Sequence, residues 1–282
     1  MVLLLIFFNF LEIQISITMP TVFANGVNLH YEDQGTGKET IVFSHGLLWS
    51  HRMFEAQVSE LSKTYRVIAY DHRGQGRSEV KGPFDMDTVT NDAISLIETL
   101  ALGKVHFVGL SMGGFVGMRL AARRPDLVKS LVLLETSANA EPVENLPKYK
   151  TLNGIVKWVG VIAPVANKVM PIMFAASWLS NKTNQQAIKR WKKEVMSNKK
   201  SITGPVEGVI YRKGVEDELE NIVCPTLIIV GEEDVATTPE KAKFIHMSIK
   251  NSELHSITGA GHSSCIEKPE EVNQLIINWL LQ

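Results

Sequence analysis

Three side chains in this sequence, Ser111, Asp234 and His262, have the types and surroundings needed for acyl transfer. Ser111 sits in Gly109-Leu110-Ser111-Met112-Gly113, a G-x-S-x-G pentapeptide between an apolar run at 105–108 and a helical pattern over 112–124. A serine hydroxyl is a weak nucleophile at neutral pH, so it has to be projected sharply from the backbone and served by a base. A strand-to-helix corner does the first, with glycines removing side chains that would clash with the turn. For the second, His262 lies in Gly259-Ala260-Gly261-His262-Ser263, a glycine-flanked loop after residues 254–258 and before the last helical pattern. Asp234, in Gly231-Glu232-Glu233-Asp234, follows the apolar run 227–230 and is the expected acceptor that fixes the imidazole tautomer. Glu135, after the run 131–134, is a geometric alternative acid.

The tetrahedral intermediate of such a reaction needs N–H donors aimed at its oxyanion. Met112 N–H, immediately after the nucleophile, supplies one, and Leu47 N–H, in Ser44-His45-Gly46-Leu47 after the run 41–43, is the expected second. His45 has no partner at metal-ligand spacing and reads as a brace for that loop. Asp71-His72-Arg73-Gly74-Gln75-Gly76-Arg77-Ser78 reads as a tight surface turn held by its own hydrogen bonds.

These residues need a framework, and the chain supplies one. Short apolar runs at 41–43, 66–70, 105–108, 131–134 and 227–230 read as parallel strands buried on both faces. Helical patterns at 52–63, 87–102, 112–124, 239–249 and 269–281 alternate with them, the signature of a sheet covered by helices on both sides. In front, residues 22–24 and 27–31 flank Asn25-Gly26, a type I′ hairpin signal. The alternation stops from 139 to 220, where Trp158, Met170, Met173, Phe174, Trp178 and Trp191 are scattered among helix-like stretches and prolines. The expected organisation is a core in two parts, 19–138 and 221–282, with 139–220 as a helical lid whose aromatics form its own core.

Bulk properties narrow the partners. Hydrophobic residues at 45% and charged residues at 21% are ordinary for a globular enzyme and argue against disorder. With 29 basic against 30 acidic residues, the whole chain offers no field of one sign for nucleic acid or an anionic membrane. A small or uncharged substrate is the expectation. Cys224 and Cys265 are too few for a disulfide framework, lack metal-ligand spacing and read as reduced structural residues. No apolar run approaches the roughly 18 residues of a membrane span.

The first residues stand apart. The apolar run at 2–8 has no basic residue before it and no small-residue cleavage site after it, so it makes a poor secretory signal. Met19-Pro20 reads as the natural start, with 1–18 an extension outside the fold and the protein cytoplasmic.

Taken together, His45-Gly46, Asp71-x-Arg73-Gly74-x-Gly76-x-Ser78, Gly109-x-Ser111-Met112-Gly113-Gly114, Gly231-x-x-Asp234 and Gly261-His262 resemble the α/β-hydrolase superfamily. The resemblance implies an α/β fold with a mostly parallel eight-stranded sheet, a triad at Ser111, Asp234 and His262, and neither cofactor nor metal. Within the superfamily, Ser111-Met112-Gly113-Gly114 and Asp234-Val235-Ala236-Thr237-Thr238-Pro239 are similar to enol-lactonases of the 3-oxoadipate type and to small carboxylesterases. The implied activity is hydrolysis of an ester or lactone. A perhydrolase, a carbon–carbon bond hydrolase and a ligand receptor share the same residues and stay open as alternatives.

Overall fold

A computed structural model describes residues 20–282, and the expectations for residues 1–18 lie outside them. Eight strands form one sheet in the order β1-β2-β4-β3-β5-β6-β7-β8. They are β1 (Thr21–Ala24), β2 (Val27–Gln34), β3 (Thr40–Ser44), β4 (Arg66–Tyr70), β5 (Val105–Leu110), β6 (Val128–Leu134), β7 (Thr226–Gly231) and β8 (Ser252–Ile257). Asn25 and Gly26 both have positive φ (47° and 78°), as a type I′ turn requires, and β1 and β2 pair antiparallel around them. From β3 to β8 every pairing is parallel.

The five apolar runs all become strands, and β8 adds a sixth parallel one. Only the stretch 254–258 stands out as apolar in the sequence, and Ser252, Glu253, His255 and Ser256 keep it from matching the five buried runs, because an edge strand need not be apolar on both faces. Side chains alternate across the sheet. Val42, Ile68, Phe107, Leu131 and Ile228 pack on one face with α2 (Met86–Thr99), α3 (Met112–Arg123) and α9 (Pro239–Ser248), after α1 (Glu55–Leu61) on the other. Ile41, Phe43, Val67, Val108, Val132 and Ile229 face that opposite layer, which contains α1. The helix expected over 52–63 is divided, with a 3-10 turn at His51–Phe54 running into α1.

Between β6 and β7 the chain forms α4 (Leu146–Val159), α5 (Ala163–Met173), α6 (Ala176–Ser180), α7 (Gln185–Met196) and α8 (Thr203–Ile210). The last helices are α10 (Ser264–Glu267) and α11 (Pro269–Leu280), the latter docked on α1. Met170, Met173, Phe174, Trp178 and Trp191 are buried, and Trp49 from the β3 side stacks edge-on against both Phe174 and Trp191. Trp158 departs from that pattern, being 81% exposed. Among the described residues no helix is long and apolar enough to cross a membrane. Both cysteines are buried and unpaired.

The corner between β5 and α3 is tightly packed. A Cβ on Gly113 would lie 1.9 Å from the Ser44 carbonyl oxygen, and one on Gly109 would lie 2.2 Å from that of Gly113. Backbone meets backbone there, with no flexible side chain to yield. Gly113→Ala is expected to push α3 off β3 and cost about 3 kcal/mol, the range of core overpacking. Urea denaturation measures it, and a loss below about 1 kcal/mol, the level of a tolerated surface change, would contradict the packing argument.

Candidate active site

The residues singled out in the sequence gather where the parallel strands end. Ser111 has φ 52° and ψ −110°, a conformation that bulky residues avoid, held by Ser111 N–H donating to Leu134 O (2.9 Å) and by Thr136 Oγ1 donating to Ser111 O (2.8 Å). Leu48 after β3 (φ 70°) and Glu135 after β6 (φ 39°) are likewise left-handed. Backbone strain is thus concentrated at the ends of three neighbouring strands.

His262 and Ser111 line one cavity of about 150 Å³. His262 Nδ1 lies 2.9 Å from Asp234 Oδ2, and both side chains are buried. The carboxylate also accepts the N–H groups of Ala236 (2.8 Å) and Thr237 (3.0 Å) and the Thr237 hydroxyl (2.7 Å). Burial alone would raise the Asp234 carboxyl, but the imidazole and these donors outweigh it and hold the group below the usual carboxylate range. Thr237, whose Oγ1 is also 3.1 Å from His262 Nδ1, escaped the sequence reading because a threonine three residues after an aspartate is an ordinary turn residue.

Glu135 stands differently. It is fully buried, neither oxygen makes a geometrically good hydrogen bond among the described residues, and burial pushes it well above the usual range. Ser264 and Gly231 N–H offset this only in part, while Asp234 and Glu267 add to it. Glu267, which the sequence reading passed over, accepts the N–H groups of Gly261 (3.0 Å) and Ser263 (3.2 Å), on either side of His262, and that of Ala175 (2.9 Å) from the helical insertion. Burial lifts its carboxyl to about 7.

Leu47 also lines the cavity. Its neighbours' N–H groups are engaged, Gly46 to Met53 Sδ (3.4 Å) and Leu48 to Gln75 Oε1 (3.0 Å), while Leu47 N–H has no acceptor among the described residues. Met112 N–H belongs to the first turn of α3, where no intrahelical carbonyl is available.

Gln75 brings a correction. The segment 71–78 is not a surface turn: Asp71, His72, Arg73, Gln75 and Ser78 are buried beneath the β3 loop. Polar and glycine-rich, it has the composition of a surface turn, but its polar groups find partners inside. Asp71 Oδ1 accepts His51 N–H (2.7 Å), its Oδ2 accepts Arg77 N–H (2.8 Å), and Arg73 pairs with buried Asp92. His45 Nε2 accepts His72 N–H (3.0 Å), which places it as a brace between the two loops.

His30, His51 and Asp71 have ligand atoms within 4.8 Å of one another, a spacing a metal ion could use. The donor set fits poorly, because His51 already bonds Asp71 through Nδ1 (2.8 Å) and Glu32 through Nε2 (3.0 Å), and both Asp71 oxygens hold backbone N–H groups. These contacts instead join β2, β4 and the loop after β3.

The rest of the cavity wall is mainly apolar, including Val156, Val161, Val165, Val169, Ile172, Met173, Ile202 and Val206. Its single arginine, Arg212, lies over the Phe115 ring (4.3 Å) and donates to Glu141 Oε2 (2.9 Å) and Asn139 O (3.1 Å).

The AB hydrolase superfamily protein YisY of Bacillus subtilis is 32% identical, covering 89% of this chain and 94% of that protein. Among solved structures, the enol-lactonase from Burkholderia xenovorans LB400 superposes with a TM-score of 0.85 at 29% identity, over 93% of this chain and 100% of that one. A thermophilic esterase from Thermogutta terrifontis gives the same TM-score and identity, over 93% and 97%. The family described as serine aminopeptidase, S33, matches residues 35–269. With that span taking in the elbow, Asp234 and His262 on an eight-stranded sheet, this chain belongs to the S33 family of α/β hydrolases.

Proposed function

We propose that the protein hydrolyses an uncharged carboxylic ester or lactone with an apolar acyl part, through an acyl-enzyme on Ser111. The observation that carries this reading is the shared cavity of Ser111 and His262, with a buried carboxylate behind the imidazole. His262 Nδ1–H donating to Asp234 leaves Nε2 free to take the Ser111 proton and return it to the leaving alcohol. The N–H groups of Leu47 and Met112 receive the oxyanion. Helices α4, α5 and α8 act as a lid over the acyl part, since Val156, Val169 and Val206 line the same cavity.

The paired state of Arg212 supports an uncharged substrate. A lactone that carries a free carboxylate, as that of 3-oxoadipate does, would need a free cation in the wall, and here Glu141 already neutralises the single arginine there. Arg212 gives the wall polarity without net charge.

A fluorophosphonate should label Ser111, and Ser111→Ala should lower turnover of a p-nitrophenyl alkanoate by about 10⁴-fold or more. An unchanged rate would remove the nucleophile. Straight-chain neutral esters should be preferred over esters bearing a free carboxylate on the acyl group; the reverse preference would overturn the assignment of Arg212 as neutralised.

Glu267 is a positioning residue in this scheme, holding the backbone on both sides of His262. Because its carboxyl in the folded protein keeps a proton up to about 7, whereas an unfolded glutamate loses it near 4.5, folding binds a proton between those values. Stability contributed by this group therefore falls as pH rises through that window. Relative to Glu267→Gln, the wild type should lose up to about 3 kcal/mol between pH 4.5 and 7.5, read from urea midpoints. A pH-independent difference would show that the group is ionised throughout.

A further inference from the structure

The balance of 29 basic and 30 acidic residues conceals a segregation. Between residues 146 and 202, the stretch that forms α4 to α7, ten lysines and one arginine stand against a single acid, Glu194, so the rest of the chain carries the opposite excess. The expectation that no field of one sign is available holds for the whole chain and fails for this segment. All the lysines but Lys192 are exposed.

The outer side of α4 in this segment also carries apolar surface that the fold does not cover. Trp158 and Val159 are 81% and 52% exposed at the end of α4, and Ile155 and Ile162 beside them are exposed too. Lys148 and Lys168 line a surface groove together with Ile155, and Lys200 Nζ donates to Trp158 O, so cations border the patch at three points. The opposite side of α4, through Tyr149, Leu152 and Val156, is cavity wall.

We propose that this outer face of α4 and α5 docks on an anionic lipid surface. Tryptophan settles at the depth of lipid headgroups, and lysines around an apolar patch add attraction to anionic headgroups. Ten lysines to one arginine fit diffuse headgroup charge better than the bidentate contacts by which arginine reads nucleic acid. Docked this way, the helix forming one cavity wall lies on the phase in which apolar esters dissolve. That delivery role rests on the hydrolase reading, whereas the docking does not.

The test is co-sedimentation of the full chain with phosphatidylcholine vesicles, with and without phosphatidylglycerol. Binding is expected only with the anionic lipid and should weaken as salt rises. Lys148→Glu with Lys168→Glu should lower the partition coefficient about tenfold or more, from the usual strength of a basic residue near such a surface. Trp158→Ser with Val159→Ser should lower it as well. Both variants should hydrolyse a short soluble ester at the wild-type rate, which shows that they are folded. Ser111→Ala should bind vesicles unchanged while losing turnover; turnover kept by Ser111→Ala with vesicle binding intact would sink the hydrolase reading alone.

Four results would overturn the docking: no binding to anionic vesicles, equal binding to neutral ones, binding lost only when residues 1–18 are removed, or binding untouched by either pair of substitutions. Dimerisation abolished by Trp158→Ser without vesicle binding would give the patch to a second copy and also overturn it. So would retention on RNA in place of vesicles.

Discussion

Asp234, Glu135 and Glu267 are buried close together at the end of the sheet, where Asp234 makes ionisation of both glutamates more costly and Glu267 adds to the cost for Glu135. A medium of low polarity tolerates a carboxylate only where donors surround it. Asp234 has four, counting the His262 ring, and is held below the ordinary range. Glu267 has three backbone N–H groups and reaches about 7, and Glu135, without a good one, lies well above its ordinary value. The order of the three shifts thus follows the number of donors, with the charge of the His262 ring adding to the lowering at Asp234. Glu135 as alternative acid is disfavoured on that ground, since burial without good donors makes its charged form costly.

The same donors explain why the loops hold their places. Ala236 and Thr237 spend their N–H groups on Asp234, while Gly261 and Ser263 spend theirs on Glu267. Each of these loops is therefore wound around a carboxylate. The loop after β3 follows the same rule with Asp71, whose two oxygens tie His51 and Arg77, and Gln75 then reaches Leu48 N–H from below. Buried acids here organise backbone, and the sheet sets where the acids stand.

Much of this was legible in the sequence because the signals were local. A G-x-S-x-G between an apolar run and a helical pattern is contiguous, and so are glycine-flanked His262 and Asp234 after its strand. Apolar runs located five parallel strands for the same reason. What sequence could not supply were partners distant in the chain. Glu267 resembles any acid near a helix start, and its role exists only because Ala175, 92 residues away, and the His262 loop converge on it. Segment 71–78 was misplaced because composition reports polarity, not whether the polar groups find partners inside. Edge strand β8 showed only as the apolar stretch 254–258 because its other face is polar, and charge segregation was hidden by a sum over the whole chain.

How the insertion is attached explains why its charge remains available. Among the described residues, two ion pairs join α4–α7 to the core, Arg190 with Glu55 and Arg52 with Glu194. Apolar contact does most of the holding, with Trp49 wedged between Phe174 and Trp191 and with Val165, Val169 and Met173 joined to the core cluster. A basic insertion on an acidic core could have been fastened by salt bridges that cancelled its lysines one by one. Fastening it by burial instead leaves the lysines pointing outward, where exposed pairs would have contributed little stability anyway. Stability of the insertion and charge of its surface are thereby decoupled, so the outer face is free to be shaped by what it meets while the inner face is shaped by what the cavity holds.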